Sequence, residues 1–332
     1  MAKKKILAVP EGDMFLRRDV EILRNHLEVR TAPTFNRKKP ITTLPSIFKI
    51  LKGTLWADVT FSWFADTHAF LAVLFSKIFR KKSVVVASGY SVADMPQIKY
   101  GSMVGGISSR VVKFTLRHAT KVLAVSEFNM REILRYVGSE KVKLIYHSVD
   151  SDEFKPAGEK QGNLVVTTGN VMRSNLTRKG LETFVRSARF LPKARFVLIG
   201  RFMDESIDYL ESIATANVEF TNYVPLNRLI DYYQRAKVYV QVSAHEAFGI
   251  ALAEAMLCEC VPVVTDRGAL PEVVGDTGFY VPYEDPEATA EAIGKALNCD
   301  KGKEARNRIR KLFPSEKRER ELIMEVRELL QA

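Results

Sequence analysis

Two glutamates with a glycine between them, Glu246, Gly249 and Glu254, lie in the run VYVQVSAHEAFGIALAEAM at residues 238–256. The β-rich first part of this run ends at Ser243, and a helix is expected to start at Phe248 or Gly249. Backbone amides at a helix start lack intrahelical partners and carry positive partial charge, so they suit a diphosphate. Gly249 has no side chain to hold such a group away. Glu246 falls in the loop before the helix and Glu254 about one and a half turns inside it, so both can face one pocket. Taken alone, the pair also fits a capped amphipathic helix with its acids on a solvated face.

These residues need a frame to hold them, and the chain reads as alternating strands and helices. Strands are expected at 5–10, 57–61, 83–87 and 121–125, with helices at 15–27, 70–79 and 108–118. Ser126 reads as the N-cap of a further helix, with Glu127 in its first turn. A polar stretch over 149–163, with Pro156, Gly158 and Gly162, interrupts the pattern and marks a domain boundary. Strands resume at 164–168, 195–199, 218–220, 238–242 and 261–265, with helices between them that include 180–190 and 226–236. A basic amphipathic helix at 315–330 closes the chain. Alternation of this kind implies parallel sheets covered on both faces. The expected fold class is α/β, with two Rossmann-like doubly wound domains facing across a cleft. The first is expected over 1–155 and the second over 156–314, with the helix of 315–332 packing back onto the first. Ligands of such sheets bind at the carboxyl ends of the strands.

Bulk properties narrow the class. A chain of 332 residues is long enough for two cores, and 46% apolar with 27% charged residues excludes wholesale disorder. Cys258, Cys260 and Cys299 are odd in number and form no CxxC pair, which argues against a disulfide framework or a zinc site and fits a reducing compartment. Lys3, Lys4 and Lys5 precede an apolar run too brief for a signal core, and no stretch reaches the ~20 apolar residues that span a bilayer. A cytoplasmic location is therefore expected. The net charge of +11 is uneven: residues 1–120 hold 20 Lys/Arg against 8 Asp/Glu, and the remainder 30 against 31. A basic surface of this kind attracts anionic lipid, nucleic acid or phosphorylated substrates, although it also serves plain solubility.

The segment from Glu246 to Glu254 is followed by Cys260-Val-Pro-Val-Val-Thr-Asp266 and by Gly268-Ala-Leu-Pro-Glu-Val-Val-Gly275. In this order and spacing it resembles the retaining GT-B glycosyltransferases of family 4 (glycosyl transferases group 1), from about Leu164 to Tyr283 and more loosely from Lys5 to Pro156. The resemblance implies that Glu246 lies beside the transferred sugar and that Glu254 holds the ribose hydroxyls of the nucleotide. The amides around Phe248, Gly249 and Ile250 would meet the diphosphate. The strand ending in Gly169-Asn170, followed by Arg178-Lys179-Gly180, is similar to the family's strand–Gly-Arg … Lys-Gly element. Its basic pair neutralises the diphosphate as the bond to the sugar breaks, a form of charge stabilisation often dominant in catalysis. Lys179 matches the lysine, whereas Asn170 stands where the arginine is expected. Arg173 is assigned in its place, with Arg178 as the alternative. Tyr223 and Val224 resemble the loop over the nucleobase, and also fit an ordinary turn closed by Pro225.

The first half, which the resemblance implies binds the acceptor, with Gly12, Asp13, Ser88, Gly89 and His147 as its acceptor-side residues, departs further from the pattern. Its first loop is reduced to Gly12-Asp13, and Ser88, followed by Gly89, stands where a sugar-contacting histidine is common. His147 takes the place of a usual asparagine in the hinge, and reads first as a structural hinge residue. Asp150-Ser-Asp152 spells the DxD of metal-dependent glycosyltransferases but lies in the hinge, so no metal and no cofactor are expected. The resemblance thus implies transfer of a hexosyl group, with retention, from a nucleotide sugar (UDP- or GDP-linked) to an acceptor hydroxyl. A lipid-linked or phosphorylated acceptor and peripheral contact with anionic membrane would suit the basic first domain, through Arg37-Lys-Lys39, Lys49 to Lys52, Arg80-Lys-Lys82 and the 110–117 helix. Nucleic acid is not expected as a partner, since no RNA-binding aromatic motif occurs. The rival reading is a sugar-nucleotide-binding protein without transferase activity.

Overall fold

A computed structural model describes residues 4–11, 14–33 and 43–331. Gly12, Asp13 and the Arg37–Lys39 run lie outside the described residues. The chain divides into two compact units, residues 1–146 with 316–332, and residues 147–315.

The first unit contains β1 (Lys5–Glu11), α1 (Met14–His26), β2 (Glu28–Pro33), α2 (Thr43–Trp56), β3 (Val59–Trp63), α3 (Thr67–Ile78), β4 (Lys82–Val86), α4 (Gly106–His118), β5 (Lys121–Ala124), α5 (Glu127–Leu134) and β6 (Val142–Leu144). Its parallel sheet has the order β2-β1-β3-β4-β5-β6. The central strands are buried on both faces because helices cover both: every residue of β3 is buried, including Thr60 and Ser62. Side-chain caps start two of the helices, α5 at the Ser126 cap read in the sequence and α3 three residues before its expected start at 70. The Asp66 carboxylate accepts the His68 amide at the head of α3, and the Ser126 hydroxyl accepts the Asn129 amide at the head of α5.

The second unit contains β7 (Gln161–Thr168), α6 (Arg173–Arg178), α7 (Leu181–Ser187), β8 (Arg195–Ile199), α8 (Ser206–Ile213), β9 (Val218–Phe220), α9 (Leu226–Arg235), β10 (Ala236–Gln241), α10 (Ile250–Leu257), β11 (Val261–Thr265), α11 (Leu270–Val274), β12 (Phe279–Val281), α12 (Pro286–Leu297) and α13 (Gly302–Leu312). Its order is β12-β11-β10-β7-β8-β9, again parallel throughout. Strand order therefore reverses between β7 and β10. Connections leave those two strands toward opposite faces, which opens a crevice at their carboxyl ends. Thr168 and Gln241 end the two strands, so Gly169 and the 242–249 loop border that crevice.

The last helix, α14 (Ser315–Gln331), belongs with the first unit from residue 316 onward. Arg318, 4% exposed, makes a two-pronged pair with Asp19, 2% exposed, at 2.7 Å (Nε–Oδ1) and 2.6 Å (Nη2–Oδ2). Its remaining nitrogen donates to the carbonyls of Ile145 and Tyr146, and the indole of Trp63 donates to Asp19 at 2.8 Å. Burying two charges is tolerable only with every prong engaged in this way.

Several sequence expectations shift. The strand expected at 57–61 is β3, two residues later and third in order, because β2 and α2 were passed over, as were the edge strands β6 and β12. Ala57 stays bound to α2 through its amide on Gly53 O, 2.9 Å, which delays the strand. The unit boundary lies at 146/147 and not at 155. The polar stretch hides its anchors: Phe154 is fully buried near Tyr233, and the Val149 amide donates to Phe313 O at 3.3 Å.

Candidate functional site

The crevice of the second unit gathers its chemistry from four loops. After β7, Gly169 packs so close to Gly200 that a Cβ on Gly200 would collide with the Gly169 carbonyl, while the Gly169 amide donates to Ile199 O at 2.9 Å. The short helix α6 then brings Arg178, Lys179 and Gly180 beside the end of β10. Gly180 has φ +67°, and a Cβ there would run into the Val242 carbonyl. The Ala244 amide donates to Arg178 O at 2.8 Å, tying this loop to the one after β10. From the other side, Gly268 (φ +63°) lies against the Glu246 backbone, where a Cβ would stand 2.5 Å from its carbonyl oxygen. The Ala269 amide donates to that same oxygen at 2.9 Å. Glu246 is thus clamped by its backbone before its side chain does anything.

That side chain accepts a 2.9 Å hydrogen bond from Lys179 Nζ, with the two side chains 14% and 22% exposed. Burial pushes the Glu246 carboxyl up, but Lys179 and then Arg178 outweigh it, helped by the lysine hydrogen bond and by His245. The net result is an acid held below its ordinary range. Its stabilising contribution is therefore present above the usual carboxylate range and is lost as pH falls through the folded value.

Arg178, and not Arg173, is the arginine of this cluster. Arg173 opens α6, is exposed, and its amide is taken by the Asp204 carboxylate at 3.0 Å. Arg178 closes the same helix. Its Nε and Nη2 donate to Asn175 Oδ1 at 3.1 and 2.6 Å, while Asn175 Nδ2 donates to Asn170 O at 2.8 Å. Asn170 itself is exposed, so it supplies a carbonyl to this chain of contacts and not a cation.

The helix α10 starts at Ile250, with Gly249 as its N-cap at φ +97°. The glycine is needed for that conformation: the space beside it is ordinary, its nearest neighbour being Leu270 Cδ2 at 3.4 Å from a built Cβ. Amides from Gly249 through Leu252 precede the first intrahelical partner and point toward the crevice end of the helix. Phe248 is buried between His147, 5.7 Å between ring centroids, and Phe313, 5.1 Å. His147 was expected on the acceptor side but belongs to the second unit, where it braces the loop ahead of α10.

Glu254 is 6% exposed, on the second turn of α10. The buried phenol of Tyr239 links it to Glu246: burial raises the Tyr239 pKa, and both carboxylates raise it further, while the bond with Thr168 (2.7 Å) opposes them. Both glutamates thus lie within electrostatic reach of one buried phenol. Tyr239, Thr168 and Asn175 were missed in the sequence, where a tyrosine within a strand and an Asn-x-x-Arg turn carry no special mark.

Tyr223 and Val224 follow β9. Tyr223 is 59% exposed with the Arg201 guanidinium 4.5 Å from its ring centroid. Asn222 (φ +57°) fixes the loop, its Oδ1 accepting from the amides of Tyr223 (2.7 Å) and Phe202 (3.3 Å). Asp150, first of the DxD triplet, accepts from the amides of Asp152 (2.8 Å) and Glu153 (3.1 Å) and so caps a turn. Among the described residues, no three His, Cys, Asp or Glu side chains gather to hold a metal.

In the first unit, Ser88 and Gly89 (φ +53°) follow β4 and open a short turn, and nothing lies within 4 Å of a Cβ built on Gly89. The turn is held to the end of β3 by Ala65 N donating to Ser91 Oγ at 3.0 Å. Beside it, His68 Nε2 lies 2.8 Å from Asp66 Oδ1. The first unit thus has a histidine at its strand ends, reached from β3 and not from the Ser88 position after β4. Asp66-Thr-His68 was not singled out in the sequence, where the helix was expected only from residue 70.

The clamp at Gly180 carries a prediction. Gly180→Ala should destabilise the chain by about 1–3 kcal/mol, since both its positive φ and the Val242 carbonyl oppose a Cβ. Denaturant melts would check this, and a neutral result would contradict the close approach.

Residues 162–299 match the family model described as glycosyl transferases group 1. The chain is 29% identical over 240 residues to a phosphatidylinositol N-acetylglucosaminyltransferase chain of Arabidopsis thaliana, covering 68% of this chain and 53% of that protein. It is 27% identical over 241 residues to the alpha-maltose-1-phosphate synthase of Mycolicibacterium smegmatis, covering 64% and 62%. The chain therefore spans only about half to three fifths of the curated relatives it matches. HepE from Anabaena, solved in complex with UDP and glucose, superposes with a TM-score of 0.79 at 15% identity over 98% of this chain and 99% of that one. The two parallel six-stranded sheets with flanking helices are those of the GT-B fold.

Proposed function

We propose that the chain is a group 1 glycosyltransferase of the retaining family 4 type, which moves a hexosyl group from a nucleotide sugar to an acceptor hydroxyl. The observation that carries this reading is the Lys179–Glu246 pair at 2.9 Å, set at the strand-order reversal of a sheet inside the matched segment. A buried carboxylate with two cations and a helix start beside it has the charge pattern of a diphosphate seat next to a hydroxyl-rich group. The α10 amides and the two cations would take the diphosphate, Glu246 the sugar hydroxyls, and Glu254 the ribose. Tyr223, with Arg201 stacked on it, offers a flat face for the base.

In the reaction, the bond between the anomeric carbon and the diphosphate oxygen breaks and its electron pair leaves with the diphosphate. Lys179 and Arg178 stabilise that charge. The acceptor oxygen forms the new bond on the same face, and its proton passes to the departing phosphate oxygen. Glu246, held ionised by its neighbours, stabilises the positive charge that develops on the sugar and fixes its orientation. No metal is needed in this scheme because side chains and amides carry the compensating charge.

The donor is proposed to be UDP- or GDP-linked. The matched N-acetylglucosaminyltransferase is named for phosphatidylinositol, and the first 120 residues hold the whole excess of positive charge; both favour a lipid-linked or phosphorylated acceptor. Among the described residues no helix is long and apolar enough to cross a membrane. Contact with the inner face of the cell membrane would accordingly be peripheral, with the chain in the cytoplasm.

A thermal-shift panel of UDP-, GDP- and ADP-sugars tests the donor reading. A matching donor at 100 times its dissociation constant should stabilise the chain by about 2.7 kcal/mol. No shift with any of them would sink it.

A further inference from the structure

Helix α2 is built the wrong way round for a core helix. Its buried side consists of Ser46, Ile50 and Thr54, with Gly53 pressed against Leu7, where a built Cβ would stand 2.6 Å from Leu7 Cδ1. Three of its large apolar residues face outward, with Leu44 69% exposed, Phe48 56% and Leu55 52%, while Ile47, Leu51 and Trp56 are half-buried. At 100° per residue, Leu44, Phe48, Leu51 and Leu55 fall on one stripe, with Lys52 and then Lys49 along its flank. The close approach of Gly53 to Leu7 fixes which side of the helix meets the sheet, and Thr54 can be buried there because its hydroxyl donates to Ile50 O at 2.8 Å. Trp56 holds the end of the helix, with the Arg30 guanidinium 4.1 Å from its ring centroid.

We propose that α2 is a membrane-docking helix whose Leu44–Phe48–Leu51–Leu55 stripe enters the headgroup boundary of an anionic bilayer while Lys49 and Lys52 meet lipid phosphates. An apolar stripe edged by lysines is the pattern that lies in a bilayer interface. Charge complementarity favours lipid over a second copy of the chain, because a twofold contact through this face would set its lysines against their own images. The surrounding unit adds to the attraction: the first 120 residues carry 20 Lys/Arg against 8 Asp/Glu. The inference rests on the membrane contact proposed above and is independent of the donor site, which lies in the other unit.

Vesicle co-sedimentation of the full chain tests it. The protein should pellet with vesicles of phosphatidylglycerol and phosphatidylcholine and not with phosphatidylcholine alone. The variants Phe48→Glu/Leu55→Glu and Lys49→Glu/Lys52→Glu should each lose about tenfold or more of that binding. All of these residues are exposed, so both variants should keep the wild-type melting temperature and the donor-induced thermal shift. Binding of wild type with no loss in either variant would overturn the role of α2 and leave membrane contact standing through another surface. No vesicle binding by wild type would overturn both. A wild-type dimer that becomes monomeric in Phe48→Glu/Leu55→Glu, without vesicle binding, would show that the face is covered by a second copy instead.

Discussion

Lys179→Ala is expected to lower the rate of sugar transfer by about 100- to 1,000-fold, the usual loss when one preorganised group facing developing charge is removed. The effect should fall mainly on kcat, because the charge that Lys179 meets grows as the diphosphate leaves. A second consequence concerns Glu246. Burial raises its pKa and Lys179 does most to hold it down, so the variant's carboxyl must titrate at higher pH than in the parent. The acid limb of the pH–rate profile should accordingly move to higher pH in Lys179→Ala, and move much less in Lys179→Arg, which keeps the charge. An unchanged acid limb would mean that the pair does not govern the ionisation of Glu246. Arg173→Ala should leave both quantities near wild type, since that residue sits on the Asp204 side of α6.

The second large effect is on stability. Arg318→Ala should cost about 3–5 kcal/mol, because it leaves the Asp19 carboxylate in a place with almost no access to water. In melting temperature this is on the order of 10 °C for the first unit. Asp19→Leu combined with Arg318→Leu should lose less than Arg318→Ala, since no lone charge remains; what is then forfeited is the Trp63 indole's acceptor and the donor to the Ile145 and Tyr146 carbonyls. A single variant that loses under about 1 kcal/mol would show that α14 is held by its apolar contacts and not by this pair.

Much of this could be read in the sequence, for physical reasons that differ by residue. The strand-to-helix turn at Glu246–Gly249 is local: a buried strand, a polar loop and a helix start lie within a few residues, and their types announce the geometry. Central strands such as 83–87 and 261–265 are solid apolar runs because both faces are covered, and they appear within one residue of their expected places. Edge strands gave less sign: β9 appears at its expected place, but β2, β6 and β12 were passed over, since β6 has no buried residue, β12 has one, and β2 alternates between exposed and half-buried positions along most of its length. Helix α2 escaped for the opposite reason, its apolar periodicity pointing away from the core. The choice between Arg173 and Arg178 depended on the phase of a six-residue helix and on Asn175, which only the folded chain reveals. His147 needed the true unit boundary before its place against Phe248 could be known.

The central claim is that the Lys179–Glu246 cluster activates a nucleotide-linked sugar, and release of nucleoside diphosphate tests it most directly. With the sugar nucleotide that gives the largest thermal shift, wild type should release the diphosphate slowly to water and faster with a suitable acceptor. Lys179→Ala and Glu246→Gln should bind the same nucleotide and release almost none. Tight binding by wild type with no release under any acceptor would contradict the account and leave a sugar-nucleotide-binding protein in its place.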